Sequence, residues 1–171
     1  MKYWLFILML PLTVNAQQIN KNEVDEFTGA KITETTFEYL VQDFNGTLAY
    51  EVKRIDSTLY LKMAVTIGMN EIFSVEQGAQ FMLKLANRSV VTLYNTKYQI
   101  SDHGGAYIGR FAGGNAVGVT LSFILSEENF QKLLASNVVK TRLYTTDGYH
   151  EETIKTKRAE KFRQALALLK N

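Results

Sequence analysis

Ten residues, Thr58–Ile67, do most to limit what this chain can become. In an extended backbone Leu59, Leu61, Met63, Val65 and Ile67 point one way, and Thr58, Tyr60, Lys62, Ala64 and Thr66 the other. A helix would scatter both sets around its axis, whereas a strand separates them cleanly. One apolar and one mixed face describe a half-buried antiparallel strand. Val117–Leu125 repeats the pattern, with Val117, Val119, Leu121, Phe123 and Leu125 on one face. A sheet with an apolar face needs something to cover that face.

The rest of the chain supplies more strands and the turns between them. Strands are expected over 24–27, 32–40, 48–55, 81–85, 90–100, Val138–Thr145 and 149–154. Asn45-Gly46 and Asp147-Gly148 are hairpin signals, because a type I′ turn needs two residues that tolerate positive φ. Asp56-Ser57 and Asn87-Arg88-Ser89 are further turns. Two segments have helical rather than strand periodicity. Ser126 is an N-cap, followed by Glu127 and Glu128 where the helix dipole favours acids, with Phe130, Leu133 and Leu134 at helical spacing. Residues 155–170 place Ala159, Phe162, Ala165, Leu166 and Leu169 on one stripe. The expected fold is α+β: about eight mainly antiparallel strands, one short helix, and a C-terminal amphipathic helix packed on the sheet. The alternative is a β-sandwich or barrel with a helical appendage.

The N-terminus reads as an address. Lys2 is followed by the apolar run 3–10, and Val14-Asn15-Ala16 offers small residues where a signal peptidase cleaves. The run is too short before Pro11 to span a bilayer, which takes roughly 20 apolar residues. Residues 1–16 are therefore expected to be a signal peptide and 17–171 one domain, with 17–23 flexible and no transmembrane segment in the mature chain. The expected location is the periplasm or the extracellular space. The sequence has no cysteine, so the domain folds without disulfides, and its single proline lies in the leader. About 155 mature residues bury enough surface to manage this. Near-neutral charge argues against nucleic acid as the main partner.

Side chains that could carry chemistry are few. His103 and His150 are the only histidines. His150-Glu151-Glu152 offers three metal-ligand types, but alternation sends neighbours to opposite faces, so no metal is expected. Ser101-Asp102-His103 holds the residue types of a triad, yet adjacent residues rarely converge. Carboxylates such as Glu34, Glu38 and Glu51 fit the wet face of a sheet. No catalytic residue and no cofactor is assigned. The glycine-rich stretch 103–118 holds six of the eleven glycines and matches no phosphate-binding pattern. His103, Tyr107, Arg110 and Phe111 within it form the expected ligand-binding surface, because aromatic and arginine side chains dominate interface energetics. The basic residues of 155–170 read as a solvated helix face.

Three segments, VDEFTGAKITETTFEYL (24–40), QGAQFMLKLANRSVVTLYN (77–95) and LYTTDGYHEETIKTKRAEKFRQALALL (143–169), resemble small exported proteins of unknown function from Bacteroidetes-type Gram-negative bacteria. The resemblance implies an envelope or extracellular setting and no particular activity. The function expected is that of a non-catalytic binding module for a protein or envelope ligand. A small secreted hydrolase, or a protein inhibitor or immunity-type partner, is the alternative.

Overall fold

The computed structural model describes residues 18–43, 46–68, 71–108, 111–112 and 116–170. Residues 1–17, which include the expected signal peptide, lie outside these. In chain order the strands are β1 (Ile19–Val24), β2 (Lys31–Thr35), β3 (Glu38–Gln42), β4 (Gly46–Ile55), β5 (Thr58–Ile67), β6 (Ser74–Val75), β7 (Gln80–Leu85), β8 (Val90–Tyr94), β9 (Gln99–Ile100), β10 (Asp102–His103), β11 (Tyr107–Ile108), β12 (Phe111–Ala112), β13 (Val117–Leu125), β14 (Val138–Thr145) and β15 (Gly148–Thr153). The helices are α1 (Glu127–Ala135) and α2 (Thr156–Leu168). All pairings are antiparallel. The large sheet runs β1-β2-β4-β5-β13-β10, with β3 also on β4, and the small sheet runs β15-β14-β7-β8.

The apolar stripes read from the sequence meet between these sheets. Leu61 and Met63 of β5 and Leu121 and Phe123 of β13 share one buried cluster with Phe81, Leu83, Val91 and Leu143 of the small sheet. Phe81 stacks on Phe123 at 5.3 Å, a direct contact across the layers. Both helices enter the same core: Phe130 and Leu133 from α1, and Phe162 and Leu166 from α2, are buried. The Tyr50 ring meets Phe162 edge-on at 4.8 Å. The fold is therefore α+β, not a closed barrel, and its helices complete the core rather than hang from it. Ser126 caps α1 as its sequence implies, accepting a bond from Asn129 N at 3.2 Å.

Several expected boundaries move. The stretch 32–40 is two strands, not one. Both pair with the same edge of β4, β2 against its C-terminal half and β3 against its N-terminal half. The break falls at Thr36-Phe37, and the Thr35 hydroxyl accepts the Val52 N–H at 3.1 Å where the ladder is interrupted. The first strand lies upstream of 24–27, at Ile19–Val24, within the lead expected to be flexible. Residues 25–28 instead form a turn in which Asp25 Oδ1 accepts bonds from Phe27 N and Thr28 N. The expected strand 90–100 ends at Tyr94 and resumes only at Gln99. Of the hairpin signals, Asp147-Gly148 joins β14 to β15 with Gly148 at φ +130°, and Asn45 lies outside the described residues.

The far face of the large sheet holds one costly group. Glu51 is 2% exposed, its Oε1 has no hydrogen bond, and Lys62 Nζ stands 3.6 Å away, within ion-pair reach but beyond hydrogen-bond distance. Burial first, then the Glu34 charge, pushes its carboxyl above the usual carboxylate range. A carboxyl raised in the folded state makes the protein gain stability as pH falls. Glu51→Gln keeps the volume and removes the buried charge. We expect it to stabilise the protein by roughly 1 kcal/mol at pH 8, with the gain shrinking toward pH 5. Melting curves at the two pH values check this.

Candidate functional site

The two sheets part at one end of the sandwich. A cleft of about 260 Å³ opens there, lined by Leu48, Val65, Thr66 and Ile67 from the large sheet and by Phe81, Thr141, Leu143, His150, Glu151 and Glu152 from the small one. Strand alternation builds it. On β15, His150 and Glu152 sit opposite Leu143 and Thr141 of β14, so both polar side chains share the core side of the sheet. Glu151 between them goes to the other face, where it meets Lys140 and Arg142. The alternation that separates the three possible metal ligands is therefore present in the strand. Among the described residues no group of three or more His, Asp or Glu side chains gathers as a metal site.

The cleft is apolar along its walls and polar on the β15 side. Leu48, Val65, Ile67, Phe81 and Leu143 are all buried. His150 and Glu152 are half-buried, and the His150 ring lies 6.5 Å from that of Phe73. Burial and, secondarily, the Asp43 charge hold the Glu152 carboxyl above its ordinary range. Glu152 gives this side of the cleft acidic character, with the Asp43 charge near enough to perturb it. The accessible lining is polar and apolar in about equal measure, more polar than the mostly apolar concavity with a few convergent polar groups that is usual for a small-molecule site. At about 260 Å³ it falls just under the range of drug-sized pockets, roughly 300–1,000 Å³.

The residues picked out from the glycine-rich stretch lie elsewhere. His103 is exposed on β10, opposite Val117. Tyr107 is 58% exposed on β11. Arg110 lies outside the described residues. Phe111 pairs through its backbone with Ile108 in a short hairpin, and its side chain is not among those described. Where described, the stretch packs on the outer face of the large sheet, away from the cleft. Ala106 packs with Ala49 and Ala64, and Thr120 pins the segment by accepting the Tyr107 N–H at 2.8 Å and lying 2.9 Å from Gly105 O. Small residues are required there: a Cβ on Gly118 would stand 2.5 Å from Val65 O and 2.6 Å from the Ala106 Cβ.

Ser101, Asp102 and His103 do not form a catalytic array. The Ser101 hydroxyl is turned inward and accepts the Phe73 N–H at 2.8 Å. Asp102 Oδ1 accepts the backbone N–H of His103 at 2.7 Å. Sequence reasoning met His150 and Glu152 as possible metal ligands set aside by strand alternation, not as two side chains sharing one inner face. The signal that could have found them was the alternation itself, once the inner face of β15 is known.

No protein-family model matches this chain, and no curated protein or solved structure matches it either. The reading of its function therefore rests on the geometry. Among the described residues no helix is long and apolar enough to cross a membrane.

Proposed function

We propose that this is an exported, non-catalytic binding protein whose inter-sheet cleft takes a small amphiphile with an apolar body and a cationic head. The observation that carries the reading is the cleft itself: apolar walls from both sheets, with Glu152 at its polar side and the Asp43 charge close enough to perturb it. Apolar walls favour burial of a hydrocarbon body at roughly 25 cal/mol per Å². A half-buried carboxylate without a hydrogen-bond partner among the described side chains favours a cation that restores its lost solvation. The export part of the proposal is supported by the charged, apolar and small-residue segments of the first 16 residues and by the resemblance to exported proteins. A partner protein or envelope component would then be the source of the ligand.

Hexylammonium is the test ligand, with hexanoate as the control of opposite charge. Calorimetry at pH 8 should give binding of the amine and none of the acid. Glu152→Gln should weaken the amine about tenfold, the equivalent of roughly 1.4 kcal/mol. Affinity should fall as pH drops, and the fall should begin at a higher pH than for an ordinary glutamate, because the Glu152 carboxyl is raised. The free protein should show the reverse sign. A carboxyl raised in the folded state binds its proton more tightly than in the unfolded chain, so it adds stability as pH falls through that window. Preference for hexanoate, or indifference to Glu152→Gln, would show that the acidic side of the cleft selects nothing.

A small hydrolase is the second reading, because a histidine and a carboxyl share one wall. The two lie two residues apart on one strand, about 7 Å between Cα atoms. Glu152 is thus placed beside His150 rather than behind it as an orienting group would be.

A further inference from the structure

The small sheet has a second face, and nothing described covers it. Three tyrosines cross it in one row. Tyr94 on β8 pairs with Gln80 on β7, the adjacent Phe81–Leu143 pair brings Gln80 alongside Tyr144 on β14, and Tyr144 pairs with Tyr149 on β15. Tyr94 and Tyr149 are 57% and 55% exposed. The Tyr144 and Tyr149 rings lie 5.9 Å apart, and the Arg142 guanidinium sits 4.3 Å from the centre of Tyr149.

The other end of this face is basic. Lys84 and Lys140 are direct cross-strand partners, and like charges facing each other across a ladder are destabilising. Glu151 is the one carboxylate nearby, and it is already shared between Lys140 Nζ at 2.5 Å and Arg142 Nε at 2.6 Å. Lys84 has no ion-pair partner among the described residues. A pocket of about 210 Å³ lies among Met82, Lys84, Val90, Lys140, Arg142 and Glu151. Three cations against one carboxylate leave room for one more anionic group, and that group would relieve the repulsion between the lysines.

We propose that this face binds an acidic glycan, a chain of sugar rings bearing carboxylate or sulfate groups. One acidic group would enter the lysine pocket, and the chain would run toward the tyrosines. Tyr144 lies four positions along β14 from Lys140, about 13 Å at the rise of a strand. A single ring does not reach that far, but two or three linked rings do. The apolar C–H face of a sugar ring complements the electron-rich face of a tyrosine, and Gln80, Thr92 and the tyrosine hydroxyls supply partners for sugar hydroxyls. Charge decides against single-stranded nucleic acid, which presents a phosphate with every nucleotide and is bound by grooves whose cations track it. Here the cations cluster at one end of the tyrosine row.

The experiment is a calorimetric titration of the full folded domain with three probes: a galacturonic acid hexamer, a neutral maltohexaose of the same length, and an oligothymidylate. The galacturonate should bind at least tenfold more tightly than maltohexaose, and less tightly as salt rises. Lys84→Gln should weaken it at least tenfold while leaving the melting temperature unchanged or higher, because the repulsion with Lys140 is removed and the Lys140–Glu151 pair is kept. Tyr149→Ala should weaken it at least fivefold. Equal binding of galacturonate and maltohexaose, oligothymidylate binding as tightly as galacturonate, or variants that bind like the parent would each overturn the proposal. The cleft is not involved, so the outcome is independent of hexylammonium binding.

Discussion

Leu61→Asp should leave no folded protein. Leu61 is fully buried in the middle of β5, paired with Val52 on one side and Phe123 on the other. Leu61 shares its core with Phe81, Leu83 and Phe123, and the cation on this face of β4, Arg54, is already engaged, its Nε donating to Leu169 O at 3.0 Å and its guanidinium lying over Phe130. An uncompensated buried charge costs several kcal/mol, and the lost leucine packing adds about 2–5 kcal/mol. Total stability for a domain of this size is about 5–15 kcal/mol. Val119→Asp, on the neighbouring strand and the same face, should behave alike. Far-ultraviolet circular dichroism and a thermal melt decide both cases. A cooperative melt near that of the parent for either variant would mean that the inner face of that strand has been misplaced.

Gly118→Val should be nearly as damaging, for the opposite reason. Nothing is removed; three atoms are added where none fit. A Cβ at 118 would meet Val65 O at 2.5 Å, the Ala106 Cβ at 2.6 Å and the Thr66 Cγ2 at 2.9 Å. Val65 O is backbone within a ladder and cannot swing away. Overpacking costs about 1–3 kcal/mol when the surroundings can adjust, and here the adjustment has to lift the 105–107 segment off the sheet. We expect a loss at or above that range, together with faster amide exchange at Tyr107, whose N–H is held by Thr120. A melt unchanged from the parent would show that the close approach of Ala106 to β13 is not maintained in solution.

These two sites also show what could be read from the residues alone. Leu61 lies in a stripe with strict alternation, so its burial was legible, as were the partner stripe of Val117–Leu125, the Ser126 cap and the amphipathic α2. Gly118 was legible as one of six glycines in the 103–118 stretch and as the second residue of the expected strand Val117–Leu125, but not as a point of close approach. Its role depends on the outer face of a sheet whose strand order local patterning does not supply. Ile19–Val24 was missed because its residues, INKNEV, are mostly exposed on both faces, so burial imposed no alternation on them. The 32–40 segment was read as continuous because Thr35, Thr36 and Phe37 all favour strands, and the interruption comes from where β4 places its N–H groups. The cleft was invisible for a similar reason. His150 and Glu152 look like ordinary edge-strand polar residues until β14 turns their side toward Phe81 and Val65.

If the inter-sheet cleft is the binding site, a side chain that fills it should block the ligand. Ile67 lies at the end of β5 on the cleft wall and is 8% exposed, so Ile67→Phe adds volume into the opening rather than into the closed core. The measurement is a calorimetric titration of parent and Ile67→Phe with hexylammonium at pH 8, each shown by its melt to be folded. We expect one-to-one binding to the parent and at least a tenfold loss in the filled variant. Binding of equal strength to both, or no binding to the parent, would contradict it.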